Sequence, residues 1–340
     1  MSEINVHQIL EQLYAGKSLS SEQSQAFFER VVQGEIDPII LSSALTALKI
    51  KGETPEEITG AARALLAQAK FFPRPDYPFT DIVGTGGDGL GTINISTASA
   101  FVAAACGLKV CKHGSRSVSS KSGSSDLLAA FGVNLDMSPE VARHCLDTLN
   151  ICFVFAPQYH AGMRFAAPVR AALKTRSIFN VLGPLVNPAR PDFELMGVYA
   201  ADLLRPIAQV HKQLGMKRVM VVFGSGLDEV ALHGETQVAE LIDGEIKEYR
   251  LTPADFGVPR YPVDAIFGGD AQQNKVIIEN ILQGKGSDAQ QAAVAINVSA
   301  LLVLNGLADN FKQGTKMALD MMLTGKPLQL VQQLAEQSQC

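Results

Sequence analysis

The sequence predicts an α/β protein that combines a small all-helical domain with a larger α/β domain, whose central sheet is mostly parallel and flanked by helices. Three observations support this fold class. Residues 1 to about 70 place apolar side chains at three- and four-residue intervals, the period of a helix. A proline-rich stretch, 71–78, then interrupts the helical pattern. Beyond it, short apolar strands alternate with glycine-rich loops and helices, as in βαβ units.

The composition describes an ordinary globular protein and excludes several classes. At 340 residues, with 47% hydrophobic and 19% charged residues, the chain is long enough for about two domains. The net charge of -5 argues against a nucleic-acid binder, since such proteins usually carry a basic surface. Five cysteines without CxxC spacing indicate neither a disulfide framework nor a zinc site. With no signal peptide and no apolar run of membrane length, we expect a cytoplasmic protein without a membrane partner.

Capping signals divide the amino-terminal region into helices. An N-cap side chain accepts hydrogen bonds from the first turn, a Glu or Gln three residues later can complete a capping box, and proline suits the first helical position. The predicted helix starts are Ser20 with Gln23, Asp37 before Pro38, and Thr54 before Pro55 with Glu57.

The first βαβ unit follows the proline-rich stretch. A strand at 79–83 leads into the glycine loop 84–91, and an alanine-rich helix capped by Ser96 or Thr97 leads to a second strand at 108–111. These two strands run parallel, because the crossover helix returns the chain to the same end of the sheet. The polar stretches that follow the two strands therefore lie at one carboxyl edge.

The same pattern continues towards the carboxyl terminus. Helices are predicted from about residue 125 and from Ser138, and strands at 151–155 and 218–223 end in the loops APQYH and GSGLDE. Four loops thus gather at one edge, which is where open α/β sheets bind ligands. The stretch 164–191 indicates a return to the helical domain or a hinge, and the carboxyl third is expected to alternate strands with helices.

A polar run at 112–126, KHGSRSVSSKSGSSD, combines seven serines with two glycines, two lysines, an arginine and a histidine. Small side chains, hydroxyls and cations suit a large anion, although a mobile serine–glycine loop has a similar composition. The position of this run after a parallel strand, beside the glycine loop, favours the anion site.

The glycine loop contains GTGGDG, which matches the GxGxxG pattern of dinucleotide-binding folds. That interpretation is weak, because Lys109, Lys112 and His113 stand where a ribose-binding acid is expected. The loop also lacks the Gly-Lys-Ser/Thr of a P-loop. A glycine loop at a helix N-terminus can still bind phosphate oxygens, and a plain strand-to-helix turn is the alternative.

Two adjacent acids, Asp228 and Glu229, suit either a hydrated magnesium ion or the first turn of a helix. Their convergence on a phosphate-binding edge favours magnesium. Taken alone, His160 suits a structural histidine and Arg170 a surface cation. The chain contains no GxSxG elbow, so the sequence does not indicate a nucleophilic triad.

The combination of these motifs resembles the anthranilate phosphoribosyltransferase family. The matching pieces are GTGGD at 84–88, NIST at 94–97, KHGSRSVSSKSGSSD at 112–126, FAPQYH at 155–160, RSIFNVLGPLVNP at 176–188 and GLDE at 226–229. The resemblance covers most of the chain, and the motifs occur in the family's order. Pyrimidine nucleoside phosphorylases resemble the same fold but carry different glycine and lysine loops.

The resemblance implies a helical domain at 1–71, joined by about 170–187, and an α/β domain at 72–340. It also implies a homodimer formed through the helical domains, with each active site in the cleft between the two domains. The implied reaction displaces pyrophosphate from C1 of phosphoribosyl pyrophosphate (PRPP) by the amine of anthranilate, with Mg²⁺ as cofactor.

Site residues follow from the resemblance position by position. Those implied to bind PRPP are Gly84, Gly87, Asp88, Thr92, Asn94, Ser96, Thr97, Lys112, Ser117, Ser119, Ser120 and Ser124. Those implied to hold magnesium are Ser96, Asp228 and Glu229, and those implied to contact anthranilate are Gly84, His113, Ser115, His160 and Arg170. His113 and His160 are also candidates for accepting the amine proton.

One position departs from the family pattern KHGN, because this chain has Ser115 instead of asparagine. The shorter side chain lacks the amide's paired donor and acceptor, so we expect weaker anthranilate capture with PRPP binding largely unchanged. A nucleoside phosphorylase and a non-catalytic paralogue that binds nucleic acid are the alternative functions. The paralogue is disfavoured, because Asp228 and Glu229 are intact and the net charge is -5.

Overall fold

A computed structural model describes residues 5–116 and 122–340 of the chain. Over these residues, the chain forms a helical bundle at its amino end and an α/β region built on one seven-stranded sheet. The predicted fold class is therefore confirmed. No helix within the described ranges is both long and apolar enough to cross a bilayer.

The amino-terminal bundle follows its predicted capping signals. The capping boxes at Ser20 and Thr54 are both complete, and the Asp37 side chain accepts a hydrogen bond from the amide of Ile39. These caps satisfy amides that the first turn of a helix leaves unpaired. The helices of the bundle are α1 (Val6–Tyr14), α2 (Ser21–Gln33), α3 (Pro38–Lys51) and α4 (Pro55–Ala67).

The sheet has the strand order β3-β2-β1-β4-β5-β6-β7. Its strands are β1 (Thr80–Gly84), β2 (Val110–Gly114), β3 (Ile151–Phe155), β4 (Phe193–Gly197), β5 (Arg218–Gly224), β6 (Thr236–Ile242) and β7 (Glu245–Leu251). Strands β1 to β5 pair in parallel, so their carboxyl ends share one edge, whereas β6 and β7 add an antiparallel hairpin beside β5. Asp243 and Gly244 form the hairpin turn with φ of 51° and 76°, which suits an Asp-Gly pair.

The remaining helices cover the sheet or return to the bundle. They are α5 (Ile95–Ala105), α6 (Ser124–Ala130), α7 (Pro139–Leu149), α8 (Ala156–Tyr159), α9 (Ala167–Leu173), α10 (Phe179–Leu185), α11 (Leu204–Gln213), α12 (Ala271–Ile281), α13 (Asp288–Leu304), α14 (Phe311–Leu323) and α15 (Lys326–Gln337). Helix α13 is buried on nearly every side, as expected for a helix that is apolar all round.

Two hydrophobic cores lie on opposite faces of the sheet. Alternate residues of β5 enter them: Met220 and Val222 join one core, whereas Val219 and Val221 join the other. The second core continues through α11 into the helical bundle and includes Phe179 of α10. The bundle is therefore seated on one face of the sheet by a shared apolar core.

Two sequence-based expectations about the elements are wrong. Helix α5 begins at Ile95, so Ser96 and Thr97 lie in its first turn and the N-cap position is Asn94, whose side chain makes no capping bond. The amide of Ser96 is instead satisfied by an acid from a distant loop, Glu229. In the described carboxyl third, the hairpin β6–β7 is followed by helices α12 to α15 without further strands, because that segment is rich in Ala, Gln and Leu.

Candidate active site

The carboxyl ends of four parallel strands bring the predicted loops together. The glycine loop 84–91 follows β1, the polar run 112–126 begins in β2, α8 follows β3, and the acidic loop 224–229 follows β5. Asp228 of the acidic loop bonds the glycine loop, and Glu229 bonds the first turn of α5. The described parts of these loops therefore converge as predicted.

The glycine loop closes tightly over Asp228. A Cβ at Gly84 would lie 2.9 Å from Cγ of Asp228, so only glycine leaves room for that carboxylate. The amide of Gly86 donates to Oδ2 of Asp228 at 2.6 Å. Left-handed backbone with φ between 65° and 80° recurs along the loop at Gly86, Gly87, Gly89 and Gly91.

Asp228 and Glu229, the two acids that follow β5, have pKa values well above those of ordinary carboxyl groups. Burial, and then the neighbouring charge of Asp88, raises the pKa of Asp228 to about 6. Burial, and then the charge of Asp228, raises the pKa of Glu229 to about 8. Oε1 of Glu229 accepts from the Ser96 amide at 3.1 Å. Three carboxylates thus crowd one end of the site, which favours a bound cation.

Lys112 supplies a cation to the same edge. Its side chain is almost fully buried, at 3% exposure, and Nζ donates to the carbonyl of Ile82 at 2.6 Å. Nζ also lies 3.5 Å from Oγ of Ser96. Burial lowers the pKa of Lys112, while the charges of Asp81 and Glu229 oppose that shift. A buried ammonium group with acids nearby is suited to an anionic ligand at this edge.

Strands β1 and β2 separate where Lys112 lies. They pair only between Thr80 and Val110, whereas β1 and β4 pair along all five residues of β1. Side chains fill the gap. The Asp81 carboxylate accepts from the amide of His113 at 3.3 Å, and Lys112 bonds the free carbonyl of β1. The strands therefore separate without leaving these backbone groups unpaired.

Asp81 and Asn187 are the residues between the separated strands that sequence reasoning missed. Asp81 also accepts from the Ile82 amide at 2.7 Å, and Nδ2 of Asn187 donates to Asp81 at 2.8 Å and to the Cys111 carbonyl at 2.9 Å. Burial raises the pKa of Asp81 to about 6. An acid inside an otherwise apolar parallel strand was the available signal.

The residues of the NIST motif are placed differently from one another. Asn94 donates to the carbonyl of Ser122 at 3.1 Å and accepts from Asn274 at 2.8 Å, so its amide is held by two other loops. Ser96 lies between Lys112 and Glu229. Thr97 is only 1% exposed, and the structure does not present its hydroxyl at the surface.

The remaining residues implied to bind PRPP lie around the same edge. Thr92 forms an isolated bridge with Phe267, which ties the end of the glycine loop to the segment before α12. Ser124 begins α6, and its hydroxyl donates to the carbonyl of Ser115 at 3.4 Å. Three other predicted ligands, Ser117, Ser119 and Ser120, lie outside the described residues.

The two candidate histidines are buried and lie in contact with each other. The rings of His113 and His160 have centroids 5.6 Å apart, and Nε2 of His160 is 2.7 Å from the carbonyl of Val186. Burial lowers the pKa of both, and the neighbouring His160 and Lys112 lower that of His113 further. Both imidazoles are therefore neutral at pH 7, and the burial that keeps them neutral also lowers their affinity for a proton.

Arg170 and Ser115 are the remaining residues predicted to contact anthranilate, and they lie on different parts of the chain. Arg170 lies on α9, a helix that packs against α3 of the bundle, with its guanidinium 5.4 Å from the ring centre of Phe179. Burial lowers the pKa of Arg170. Ser115 is exposed immediately after β2. The structure places these two residues on different elements from the histidine pair.

A helical bundle seated on a parallel sheet, with a glycine loop, a buried lysine and two acids at one edge, defines a class of phosphate-handling α/β proteins. Residues 76–328 match the family model described as glycosyl transferase family, a/b domain, and residues 7–69 match the helical bundle domain of the same family. An anthranilate phosphoribosyltransferase from Psychromonas ingrahamii is 84% identical over 340 residues, all of both chains.

Solved structures agree with these matches. The anthranilate phosphoribosyltransferase of Thermus thermophilus has a TM-score of 0.93 at 37% identity, covering 98% of this chain and 99% of that one. The protein of the same name from Saccharomyces cerevisiae, in complex with PRPP and Mg, has a TM-score of 0.91 at 28% identity, covering 99% of both. The chain therefore belongs to the glycosyl transferase family, and within it to the anthranilate phosphoribosyltransferases.

Proposed function

We propose that the chain transfers the 5-phosphoribosyl group of PRPP to the amine of anthranilate, giving N-(5-phosphoribosyl)anthranilate and pyrophosphate, the second step from chorismate to tryptophan. One observation carries the proposal. The glycine loop, the first turn of α5 and the buried Lys112 meet Asp228 and Glu229 at a single sheet edge. That edge offers amides and a cation to a diphosphate, and carboxylates to the metal that accompanies it.

Magnesium fits the residues present. Asp228 and Glu229 have raised pKa values because burial and neighbouring acids disfavour their charges, which a divalent cation would relieve. The described ranges hold no cluster of three or more His, Cys, Asp or Glu side chains arranged as a metal site. Magnesium often takes only one or two protein carboxylates and completes its shell with water and substrate phosphates. We assign Ser96, Asp228 and Glu229 to hold it.

Bound magnesium would neutralise charge on the departing pyrophosphate. The protein's part is electrostatic and geometric. Lys112 and the amino end of α5 face the leaving group, whose negative charge grows as the bond from C1 to oxygen breaks. The anthranilate nitrogen forms the new bond to C1 and then loses a proton. Because positioning and charge stabilisation suffice, no protein nucleophile is required.

The acceptor side of the cleft suits an aromatic acid. Arg170 offers a cation for the anthranilate carboxylate from the bundle side. We assign His113 and His160, which are neutral and in ring contact, as the candidates for accepting the amine proton. Ser115, at the end of β2, is assigned to the same side.

We also propose the domain division, the assembly and the location of this enzyme. The helical domain spans 1–71 and is joined by about 170–187, which is supported by the packing of Phe179 in the bundle's core. Dimerisation through the bundle is supported by Ile39 and Ile50 of α3, which are 80% and 82% exposed. A reducing cytoplasm is supported by five free cysteines in the structure.

Anthranilate fluorescence provides the direct test. The purified chain should consume anthranilate only when PRPP and MgCl₂ are both added, and EDTA should stop the reaction. Asp228→Ala should abolish consumption, while Asp320→Ala, which removes an exposed acid paired with Lys316 on α14, should leave the rate unchanged. An unchanged fluorescence signal with the unmodified chain would remove the assignment.

Two further assays separate the alternatives. Phosphate-dependent cleavage of a pyrimidine nucleoside, followed by ultraviolet absorbance, would identify a nucleoside phosphorylase. Binding of labelled nucleic acid without either reaction would identify a non-catalytic paralogue. We expect the nucleic-acid assay to be negative, because the net charge is -5 and the acid pair is intact. We expect the phosphorylase assay to be negative, because those enzymes carry different glycine and lysine loops.

A further inference from the structure

The glycine loop needs an external restraint to hold one conformation. Glycine has the largest backbone freedom of any residue, so a loop with several left-handed glycines loses much entropy when it is ordered. Its start is anchored, because the amide of Thr85 donates to the carbonyl of Gly197 and the amide of Tyr199 donates to Thr85 Oγ1, both at 3.0 Å. Its end is anchored where the Gly268 amide donates to Gly91 at 2.9 Å.

Arg176 restrains the middle of the loop. Its Nη2 donates to the carbonyl of Gly87, and its guanidinium carbon lies 3.9 Å from the ring centre of Tyr199. A Cβ at Gly87 would be 3.2 Å from Nη2, so the arginine packs closely against the loop backbone. Since Tyr199 also bonds Thr85, the loop, the aromatic ring and the arginine form a closed set of contacts.

The chain segment that carries Arg176 is attached to the helical bundle. The neighbouring Thr175 accepts a hydrogen bond from Lys49 of α3. Lys174, at the end of α9, has a left-handed φ of 46°, which turns the chain from that helix towards the loop. Arg176 therefore links the helical bundle to the glycine loop.

We propose that Arg176 is a positioning residue that holds the glycine loop in its PRPP-binding conformation from the bundle side, an inference that rests on the proposed function. A planar guanidinium can stack on Tyr199 and donate to Gly87 at the same time. A lysine ammonium keeps the charge but cannot make both contacts in this geometry. We call these two contacts of Arg176, with the Gly87 carbonyl and with the Tyr199 ring, the clamp. The Arg176→Lys variant separates the effect of the clamp from that of a positive charge near an anionic substrate.

The expected effect is on PRPP binding. A stacking contact and one exposed hydrogen bond together correspond to about a ten-fold change in affinity. Loss of the clamp should therefore raise the PRPP dissociation constant and KM about ten-fold. The anthranilate KM should change less than about two-fold, because the histidine pair and Arg170 make no bond to Arg176 among the described contacts.

The test uses the full-length chain with MgCl₂ and measures PRPP binding by titration calorimetry, together with KM and kcat for both substrates. The variants are Arg176→Gln, Arg176→Lys, Tyr199→Phe, Tyr199→Leu and the double variant Arg176→Gln/Tyr199→Leu. Arg205→Gln is the matched control, because Arg205 is an exposed arginine paired with Glu248 away from the site. Melting curves establish that each variant is folded.

We expect both Arg176 variants and Tyr199→Leu to weaken PRPP binding, and Tyr199→Phe and Arg205→Gln to match the unmodified chain. The double variant should bind PRPP no more weakly than Arg176→Gln alone, because both substitutions remove the same set of contacts. Full PRPP affinity in Arg176→Lys or Tyr199→Leu would overturn the clamp and leave the proposed function standing. Failure of the unmodified chain to bind PRPP would overturn both.

Discussion

Strand β1 is joined to its two neighbours in different ways. Towards β4 it forms an unbroken backbone ladder over Thr80 to Gly84, whereas towards β2 the pairing stops after Thr80 and Val110. On the β2 side, side chains take the place of ladder hydrogen bonds. The difference shows how two parallel strands can separate while their buried backbone groups stay paired.

Two buried acids in register across β1 and β4 sharpen this contrast. Asp81 accepts hydrogen bonds from two backbone amides and from Asn187. Nε2 of His211 lies 3.5 Å from Oε1 of its register partner, Glu194. Burial, and then the charge of Asp81, raises the pKa of Glu194 well above its ordinary value, and burial lowers the pKa of His211 to about 3. Asp81 bonds groups on the open side of β1, towards β2, while burial favours the neutral form of Glu194 on the closed side, towards β4.

Removing Lys112, the cation between β1 and β2, should have the largest effect on activity. Lys112→Met leaves the Ile82 carbonyl and the nearby acids without their buried donor, so we expect kcat/KM to fall about 10²–10³-fold, with a loss of about 3 kcal/mol in unfolding free energy. Steady-state kinetics and urea unfolding measure the two losses. Lys109→Met is the control, since Lys109 also donates to two carbonyls but at the opposite end of the strand. Equal losses in both variants would contradict the assigned role.

Removing the acid that bridges the open side should be nearly as damaging to stability. Asp81→Ala strands the amides of Ile82 and His113, so we expect unfolding free energy to drop by about 3 kcal/mol. Asp81→Asn keeps an acceptor oxygen and should lose about 1 kcal/mol. Urea unfolding of the two variants at one pH gives the comparison. If alanine is tolerated as well as asparagine, side chains are not what holds the split strands.

Ser115 lies in the loop that follows β2, and replacing it tests the role of this loop in anthranilate binding. Restoring the family residue with Ser115→Asn adds an amide donor and acceptor, so we expect the anthranilate KM to fall about two- to ten-fold, with the PRPP KM unchanged. Initial rates at saturating PRPP measure the change. Ser122→Asn, in the same polar run, provides a comparison for a general effect of enlarging the loop. An unchanged KM for both substrates would contradict the expectation.

The closed side should tolerate a neutral replacement. Glu194→Gln mimics the protonated acid, so at pH 5 the variant should be within about 1 kcal/mol of the unmodified chain. A raised native pKa means that the folded protein holds its proton more tightly than the unfolded chain, so stability from Glu194 declines as pH rises above its ordinary pKa. The facing groups are Asp81, Lys112 and His211.

The glutamine variant should therefore gain stability relative to the unmodified chain between pH 5 and pH 8. Urea unfolding across that range, with the exposed Glu248→Gln as control, measures the difference. A difference that is constant with pH would show that Glu194 is charged in the native state.

The sequence predicted the parts of this fold that depend on local chemistry. The capping boxes at Ser20 and Thr54 are present, and the predicted strand at 151–155 coincides with β3. These signals are readable because a cap or a short apolar strand is decided by neighbouring residues. The prediction that Ser96 or Thr97 caps α5 was wrong, because it relied on residue type alone. The acceptor for the Ser96 amide is Glu229, which is remote in sequence.

The candidate site was only partly predictable for the same reason. Asp228, Glu229 and Lys112 were suggested by motif and by the edge to which parallel strands lead. Asn187 and Arg176 could not be assigned, because their roles depend on which carbonyls remain free after the strands separate and the loop closes. A single sequence contains no record of those long-range pairings.

A crystal structure of the chain with PRPP and MgCl₂ tests the central claim most directly, namely that the separation of β1 and β2 creates the phosphoribosyl site. We predict the diphosphate between the glycine loop and the first turn of α5, near Lys112, with magnesium on Asp228 and Glu229. Diphosphate bound elsewhere, for example in the groove beside Phe267 and Val276, would contradict the account.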